Sequence, residues 1–534
     1  MTPHNTYGPA LEAVLLDMDG VVTDTARAHA AAWKEMFDEF LRQHAKARKE
    51  AFESFDAKRD YLQYVDGKPR HQGVVDFLAA RGIELPYGSE DDGPRQQTVC
   101  GLADRKNRLF NEWLQQNRVR TFPGTLKLLR DLHRLGIPAA VFSASRNAAK
   151  VLENAGVSDL FDILVDGSDL ARLGLPGKPA PAMLHEAVKR LGVQSARSAV
   201  IEDAVAGVEA GAAGAFGLVI GVDRGNHADA LRTAGADLII NDLSEIRIGS
   251  DRQILLKTLE NLPSAQDRNK EIRRLFSGRS PAVFLDYDGT LTPIVADHTK
   301  ALLDDAMRTA VTALAERCPV AVVSGRDLAM LRKLVAIDNL YYAGSHGFEI
   351  AGPKGRVTSM ERGVEYLPLL DEVEQELRRK LAEIPGHSVE RKRFSVAVHY
   401  RQVARDQIEE LKAIVDEVLE RHPQLLGGRG KKVLEILPDL DWNKGEAVLW
   451  LLEQLQLDRP DILPVYIGDD ITDEHAFRAL AESGLAIVVR GEEQRPTAAD
   501  YAVADTDEVR AFLAWLTGIL GEPPASREDD DDSR

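Results

Sequence analysis

The sequence predicts an α/β chain built from two tandem domains, each a parallel sheet covered by helices. Three observations lead there. The chain has 534 residues, more than one ordinary core takes up. Strand-like apolar runs alternate with helix-period segments in both halves. The acidic string "LLDMDGVVTDT" at Leu15–Thr25 returns as "FLDYDGTLTPI" at Phe284–Ile294.

The strands are expected in order. In the first half they are "AVLLD", "PAAVFSAS", "ILVDG", "SAVIED" and "GLVIGV"; in the second, "AVFLDYD", "VAVVSG", "LYYAGS", "PVYIGDD" and "LAIVV". Runs ending in Asp, Ser or Gly put polar groups at the carboxyl ends of strands, where open α/β sheets bind ligands. The boundaries predicted are a first domain over 1–248, a charged helical connector over 249–277, a second domain over 278–520, and a disordered acidic tail over 521–534.

Bulk properties exclude several functions. The composition is that of a soluble globular protein, 44% hydrophobic and 28% charged. A formal charge of −18 repels polyanions, so nucleic acid and anionic membrane are not expected partners. No apolar run approaches a membrane span, and the start of the chain has no basic stretch followed by an apolar core, so a cytoplasmic location is expected. Only Cys100 and Cys318 are present, too few and too isolated for a disulfide framework or a zinc site.

A lone D-x-D-G is weak, because Asp and Gly serve turns for backbone reasons. Its companions change that. Asp17 and Asp19 are followed by Ser143, then Arg146 and Asn147 at a helix start that suits an anion, then Lys178, then Glu202 and Asp203. The second half repeats the order with Asp286, Asp288, Ser324, Arg326, Lys444, Asp469, Asp470 and Asp473. Phosphoryl transfer needs these groups. The first aspartate of each pair is the expected nucleophile, and the second the general acid and base. The remaining carboxylates join both pairs in holding a hard cation, for which Mg²⁺ fits. The serines and lysines hold the phosphoryl oxygens.

These motifs resemble the haloacid-dehalogenase-type phosphohydrolase superfamily, which implies two Rossmann-like domains. The resemblance also implies that the long spacers form caps. One lies between Asp17 and Ser143, a helical cap at about 27–118; the other lies between Ser324 and Lys444, a small α/β cap at about 350–440. The second half is similar to trehalose-6-phosphate phosphatases through "VVSGRD", "YAGSHGFEI", "RFSVAVHYR", "GKKVLEILP" and "YIGDDITDEHAF". That similarity implies contact of His346, Lys431 and Glu435 with the disaccharide.

The first half resembles β-phosphoglucomutase and related sugar phosphatases through "DMDGVVTDTARAH", "SASRN", "GKPAP" and "IEDAVAGVEA". It implies that Thr25 and His29 serve the acid/base and cap closure. Arg70 and Lys106 are implied to grip the far end of a hexose phosphate such as β-glucose 1-phosphate. Asp66 stands where the mutase carries a basic residue, which favours simple hydrolysis. The alternatives carried alongside are a broad sugar phosphatase, and a chain in which one half is catalytically silent. The simpler explanations are helix-capping turns for the Asp pairs, structural histidines for His29 and His346, and solvated charges for Arg70 and Lys106.

Overall fold

In a computed structural model of the chain, the strand that ends at Asp17 lies in the middle of a six-stranded parallel sheet. Residues 6–521 are described, apart from 58, 90, 226, 296–300, 354–359, 362, 431 and 441. They fall into two units, Met1–Lys257 and Thr258–Arg534.

The first unit's sheet runs in the order Ile163–Val165, Ala139–Phe142, Ala13–Asp17, Ser198–Glu202, Leu218–Val222 and Leu238–Ile240, with every pair parallel. "AVLLD" reads as a solid apolar run because both faces are covered. Val14 and Leu16 enter one core and Ala13 and Leu15 the other, the two-residue period of a strand. The chain steps outward on one side of Ala13–Asp17 and then returns to build the other. This leaves a crevice at the carboxyl ends of Ala13–Asp17 and its neighbours.

Ala26–Arg48, Arg70–Ala80 and Val99–Gln116 pack together around a separate core that includes Trp33, Phe37, Phe55 and Phe77. A π-helical turn, Tyr61–Val65, precedes the loop into Arg70–Ala80.

The second unit repeats the central pattern. Its eight strands run Met360–Glu361, Glu349–Ala351, Tyr341–Gly344, Val320–Val323, Ser280–Leu285, Ile462–Gly468, Leu485–Val489 and Tyr501–Val503. The first two pairings along this order are antiparallel and the other five are parallel. Val283 and Leu285 face one core, Ala282 and Phe284 the other. A second, four-stranded antiparallel sheet, in the order Ser388–Lys392, Ser395–His399, Val433–Pro438, Leu425–Gly430, packs on helices Leu367–Lys380 and Ile408–Arg421.

The segment 249–277 differs from the expected helical connector. Ile254–Leu256 is a strand, paired antiparallel with Ile246–Ile248 and Thr6–Tyr7. Ile254 and Leu256 alternate into the first core, so a period of two overrides the charged, helix-compatible composition. Leu259 and Leu262 are buried in the second unit, and only Asn269–Leu275 is helical. The expected acidic tail lies outside the described residues, except Gly521, which ends the helix Thr506–Gly521. Among the described residues, no helix is long and apolar enough to cross a membrane.

Candidate active site

At the carboxyl end of the first unit's central strand, Asp17 is buried and Lys178 reaches it from a loop. Lys178 Nζ donates to Asp17 Oδ1 at 2.5 Å and to Glu202 Oε2 at 2.7 Å. Burial opposes the lysine's charge, but the two carboxylates outweigh it and keep the ammonium protonated. Burial and the nearby Glu202 push the Asp17 carboxyl well above its usual range, with Lys178 offsetting only part.

Gly20 shapes this corner. Its φ is +84°, and a Cβ there would lie 1.7 Å from Asp203 Oδ2, so only glycine lets the acidic loop approach. Asp17, Glu202 and Asp203 each present a carboxylate oxygen within 4.8 Å of the others. This all-oxygen group suits a hard divalent cation.

Asp19 is held separately. Thr25 Oγ1 donates to its Oδ1, His29 Nε2 lies 3.4 Å away, and Ser143 Oγ sits 3.5 Å from Oδ2. Burial works against the Asp19 charge, yet His29 and Thr25 together lower its pKa. His29 Nδ1 is in turn 2.6 Å from Lys106 Nζ on Val99–Gln116. Burial pulls Lys106 down to about 7, opposed by Asp19 and assisted by Arg70.

Asp17, Ser143, Lys106, Arg70, Arg146 and Asp66 are among the residues that line one cavity of about 420 Å³. Asn147 Nδ2 is committed to Asn107 Oδ1, at 2.7 Å, so it joins the core to a helix of the cap-like layer.

The second unit builds the corresponding corner from different residues. Lys444 Nζ donates to Asp286 Oδ1 at 2.7 Å and to Asp473 Oδ1 at 2.6 Å. Asn443 caps the helix Lys444–Gln454, placing the lysine at its first position. A cation there runs against the helix dipole, and the two carboxylates compensate. Gly289 has φ +84°, and a Cβ would meet Asp469 Oδ2 at 2.3 Å, as Gly20 meets Asp203. Asp286, Asp469 and Asp473 form the second group of clustered oxygens.

Asp473 takes the place in the second unit that Glu202 fills in the first. Asp473 accepts from Lys444, from Tyr466 Oη at 2.7 Å, and from the Asp469 and Asp470 amides at 3.0 and 2.9 Å. Asp470 instead caps the following turn, accepting from the Ile471 amide. Among the described residues, the Asp19, Asp288 and Asp470 carboxylates lie outside the clustered groups. Their side chains are taken up by Thr25, by Arg326 and by the turn.

Ser324 is buried at the end of its strand and accepts from the Arg326 amide at 3.3 Å. Arg326 holds Asp288 through Nε at 2.6 Å and Nη2 at 2.5 Å. His346 Nε2 lies 2.9 Å from Glu435 Oε2. Lys392 and Ser395, which the sequence expectation did not include, donate to Glu435 Oε1 at 2.8 and 2.7 Å. Burial disfavours the Glu435 charge, but Lys392 and His346 hold its pKa well below the ordinary range. Lys431 lies outside the described residues. The signal for Lys392 was present as a basic run, "ERKRF", whose alternate residues share a face once the segment is a strand.

Comparison with known proteins follows the same division. The haloacid dehalogenase-like hydrolase family matches residues 11–214, and the trehalose-phosphatase family matches 284–507. An uncharacterized glycosyl hydrolase of Mycobacterium tuberculosis (strain H37Rv) is 40% identical over 524 residues, covering 97% of this chain and 39% of that protein. The chain thus spans well under half the length of that relative. A trehalose-phosphate phosphatase of Mycobacterium leprae is 38% identical over 415 residues, 74% of this chain and 93% of the relative. Among solved structures, a β-phosphoglucomutase from Clostridium difficile is 25% identical, with 44% of this chain and 92% of that one covered and a TM-score of 0.36.

Proposed function

This chain belongs to the trehalose-phosphate phosphatase family, and we propose that its second unit hydrolyses trehalose 6-phosphate to trehalose and phosphate. The first unit, in the same proposal, is a second phosphoryl-transfer site for a hexose phosphate. The observation that carries the trehalose assignment is the match across 93% of the length of a trehalose-phosphate phosphatase. The lysine bridges in both units, Lys444 to Asp286 and Lys178 to Asp17, support chemistry at two places.

Lys444 fixes Oδ1 of Asp286 and leaves the other carboxylate oxygen to attack phosphorus. As the new Asp286–phosphorus bond forms, the bond from phosphorus to the sugar oxygen breaks, and Asp288 gives its proton to that oxygen. Asp288 then takes a proton from water as the water oxygen attacks phosphorus and the Asp286–phosphate bond breaks. Ser324 and Lys444 hold phosphoryl oxygens through both steps. Asp17, Asp19, Ser143 and Lys178 take the same roles in the first unit. Arg70, Lys106 and Arg146 supply positive charge within its cavity.

Asp286 with Asp469, and Asp17 with Asp203, would hold Mg²⁺ in corners that only glycine at 289 and 20 leaves open. When bound, the ion offsets the charge of the phosphate against the carboxylates.

A substrate panel tests the assignment. The 534-residue chain carrying Asp17→Asn should release phosphate from trehalose 6-phosphate far faster than from unrelated sugar phosphates. Comparable rates across the panel would make the second unit a broad sugar phosphatase. For the first unit, Asp286→Asn protein is given β-glucose 1-phosphate: free phosphate marks a hydrolase, glucose 6-phosphate marks a mutase, and turnover of neither removes that sugar from consideration.

A further inference from the structure

Three consecutive residues of the second unit, Ser345, His346 and Gly347, hold φ at +50°, +56° and +95°. Glycine enters this region freely. A serine and a histidine stay there only where their surroundings over-determine them, and such residues gather at functional sites.

What holds them is the phosphate loop, Ser324–Arg326, whose serine is proposed above to hold a phosphoryl oxygen. The Ser345 amide donates to the Arg326 carbonyl at 2.7 Å and the His346 amide to the Ser324 carbonyl at 2.9 Å. Ser345 Oγ is shared between Asp327 Oδ1 at 3.1 Å and Glu349 Oε2 at 3.0 Å. The His346 ring lies so close to Gly325 that a Cβ at that position would come within 2.7 Å of Cε1.

From there the ring reaches the second sheet. His346 Nε2 lies 2.9 Å from Glu435 Oε2 on Val433–Pro438. The other oxygen of Glu435 accepts from Lys392, which also reaches the Gly325 carbonyl at 3.4 Å. Glu435 is therefore joined to this loop twice: through the Lys392 ammonium, which reaches the Gly325 carbonyl, and through His346, whose amide donates to the Ser324 carbonyl.

We propose that His346 is a positioning residue that couples Glu435 to the loop Ser324–Arg326, so that a sugar engaging Glu435 aligns the phosphoryl group on Asp286. This rests on the sugar-phosphate function proposed above. The resemblance implies a direct contact between His346 and the disaccharide; in this fold its Nε2 lies 2.9 Å from Glu435 Oε2. Binding energy gathered at the sugar is then used at the reacting phosphorus, so its loss falls on kcat more than on KM.

The test uses the 534-residue chain carrying Asp17→Asn, so that only the second site turns over. Trehalose 6-phosphate is compared with p-nitrophenyl phosphate, which has no sugar, for the Asp17→Asn protein and for His346→Ala and His346→Gln added to it. His346→Ala should lower the ratio of the two kcat/KM values about tenfold or more, mainly through kcat for the sugar substrate. His346→Gln, whose amide can still donate to Glu435, should restore much of it. Equal loss on both substrates would reduce His346 to a support of the loop and overturn the proposal, as would an unchanged ratio. If the starting protein cleaves p-nitrophenyl phosphate but not trehalose 6-phosphate, the trehalose assignment alone falls, and the same ratio is read with glucose 6-phosphate.

Discussion

Arg326 grips Asp288 with a two-pronged hydrogen bond, Nε to Oδ2 at 2.6 Å and Nη2 to Oδ1 at 2.5 Å. The equivalent carboxylate of the first unit, Asp19, has Thr25 and His29 as its partners. The two units thus keep this aspartate, the proposed acid and base, and hold it by different means. Lysine has no planar fork, so Arg326→Lys should lower kcat at the second site by roughly 10- to 100-fold. Steady-state kinetics on trehalose 6-phosphate measures it, and the same parameter at the first site should not move.

Removing the Lys444 cation is expected to cost stability as well as activity. Lys444→Met leaves Asp286 and Asp473 buried without their shared partner. Breaking a buried pair in this way destabilises by about 3–5 kcal/mol. Urea unfolding of the second unit, followed within the full chain, reads this directly.

Glu435 gives a signed pH dependence. Its folded-state pKa lies well below the ordinary glutamate value of 4.5, because Lys392 and His346 outweigh burial. The stability it contributes is present above that ordinary value and is lost as pH falls through the folded-state value. The stability gap between wild type and Glu435→Gln should therefore close as pH falls below about 4.5. A gap independent of pH would remove the charge from the explanation.

Gly289→Ala should weaken Mg²⁺ activation. A Cβ at this position would lie 2.3 Å from Asp469 Oδ2, and φ is +84°. Displacing one carboxylate of such a site costs about tenfold or more in metal affinity. Calorimetric titration of Mg²⁺ into the folded variant checks this without relying on turnover.

Much of this was legible in the sequence because it is written in local pattern. "AVLLD" and "AVFLD" are solid apolar runs closed by aspartate, and the order of Asp, Ser, Lys and Asp is the order of the strands. Short strands were harder. Leu238–Ile240 and Tyr501–Val503 have only three residues each, and "RQILLK" had its strand period masked by charge.

Within the site, the sequence sets the carboxylates at strand ends but does not divide their duties. Asp470 and Asp473 look alike as letters, and only the fold turns Asp473 inward to Lys444 and Asp470 outward to cap a turn. The residues around Glu435 come from three separate segments, at His346, Lys392 and Ser395, and nothing in sequence spacing brings them together.

The most direct test of the central claim is phosphate release from trehalose 6-phosphate by the 534-residue chain, with and without Mg²⁺, beside Asp17→Asn and Asp286→Asn. Release that needs the metal, survives Asp17→Asn and disappears in Asp286→Asn is the expected result. Release that persists in Asp286→Asn, or is lost only in Asp17→Asn, would contradict the assignment of trehalose 6-phosphate hydrolysis to the second unit.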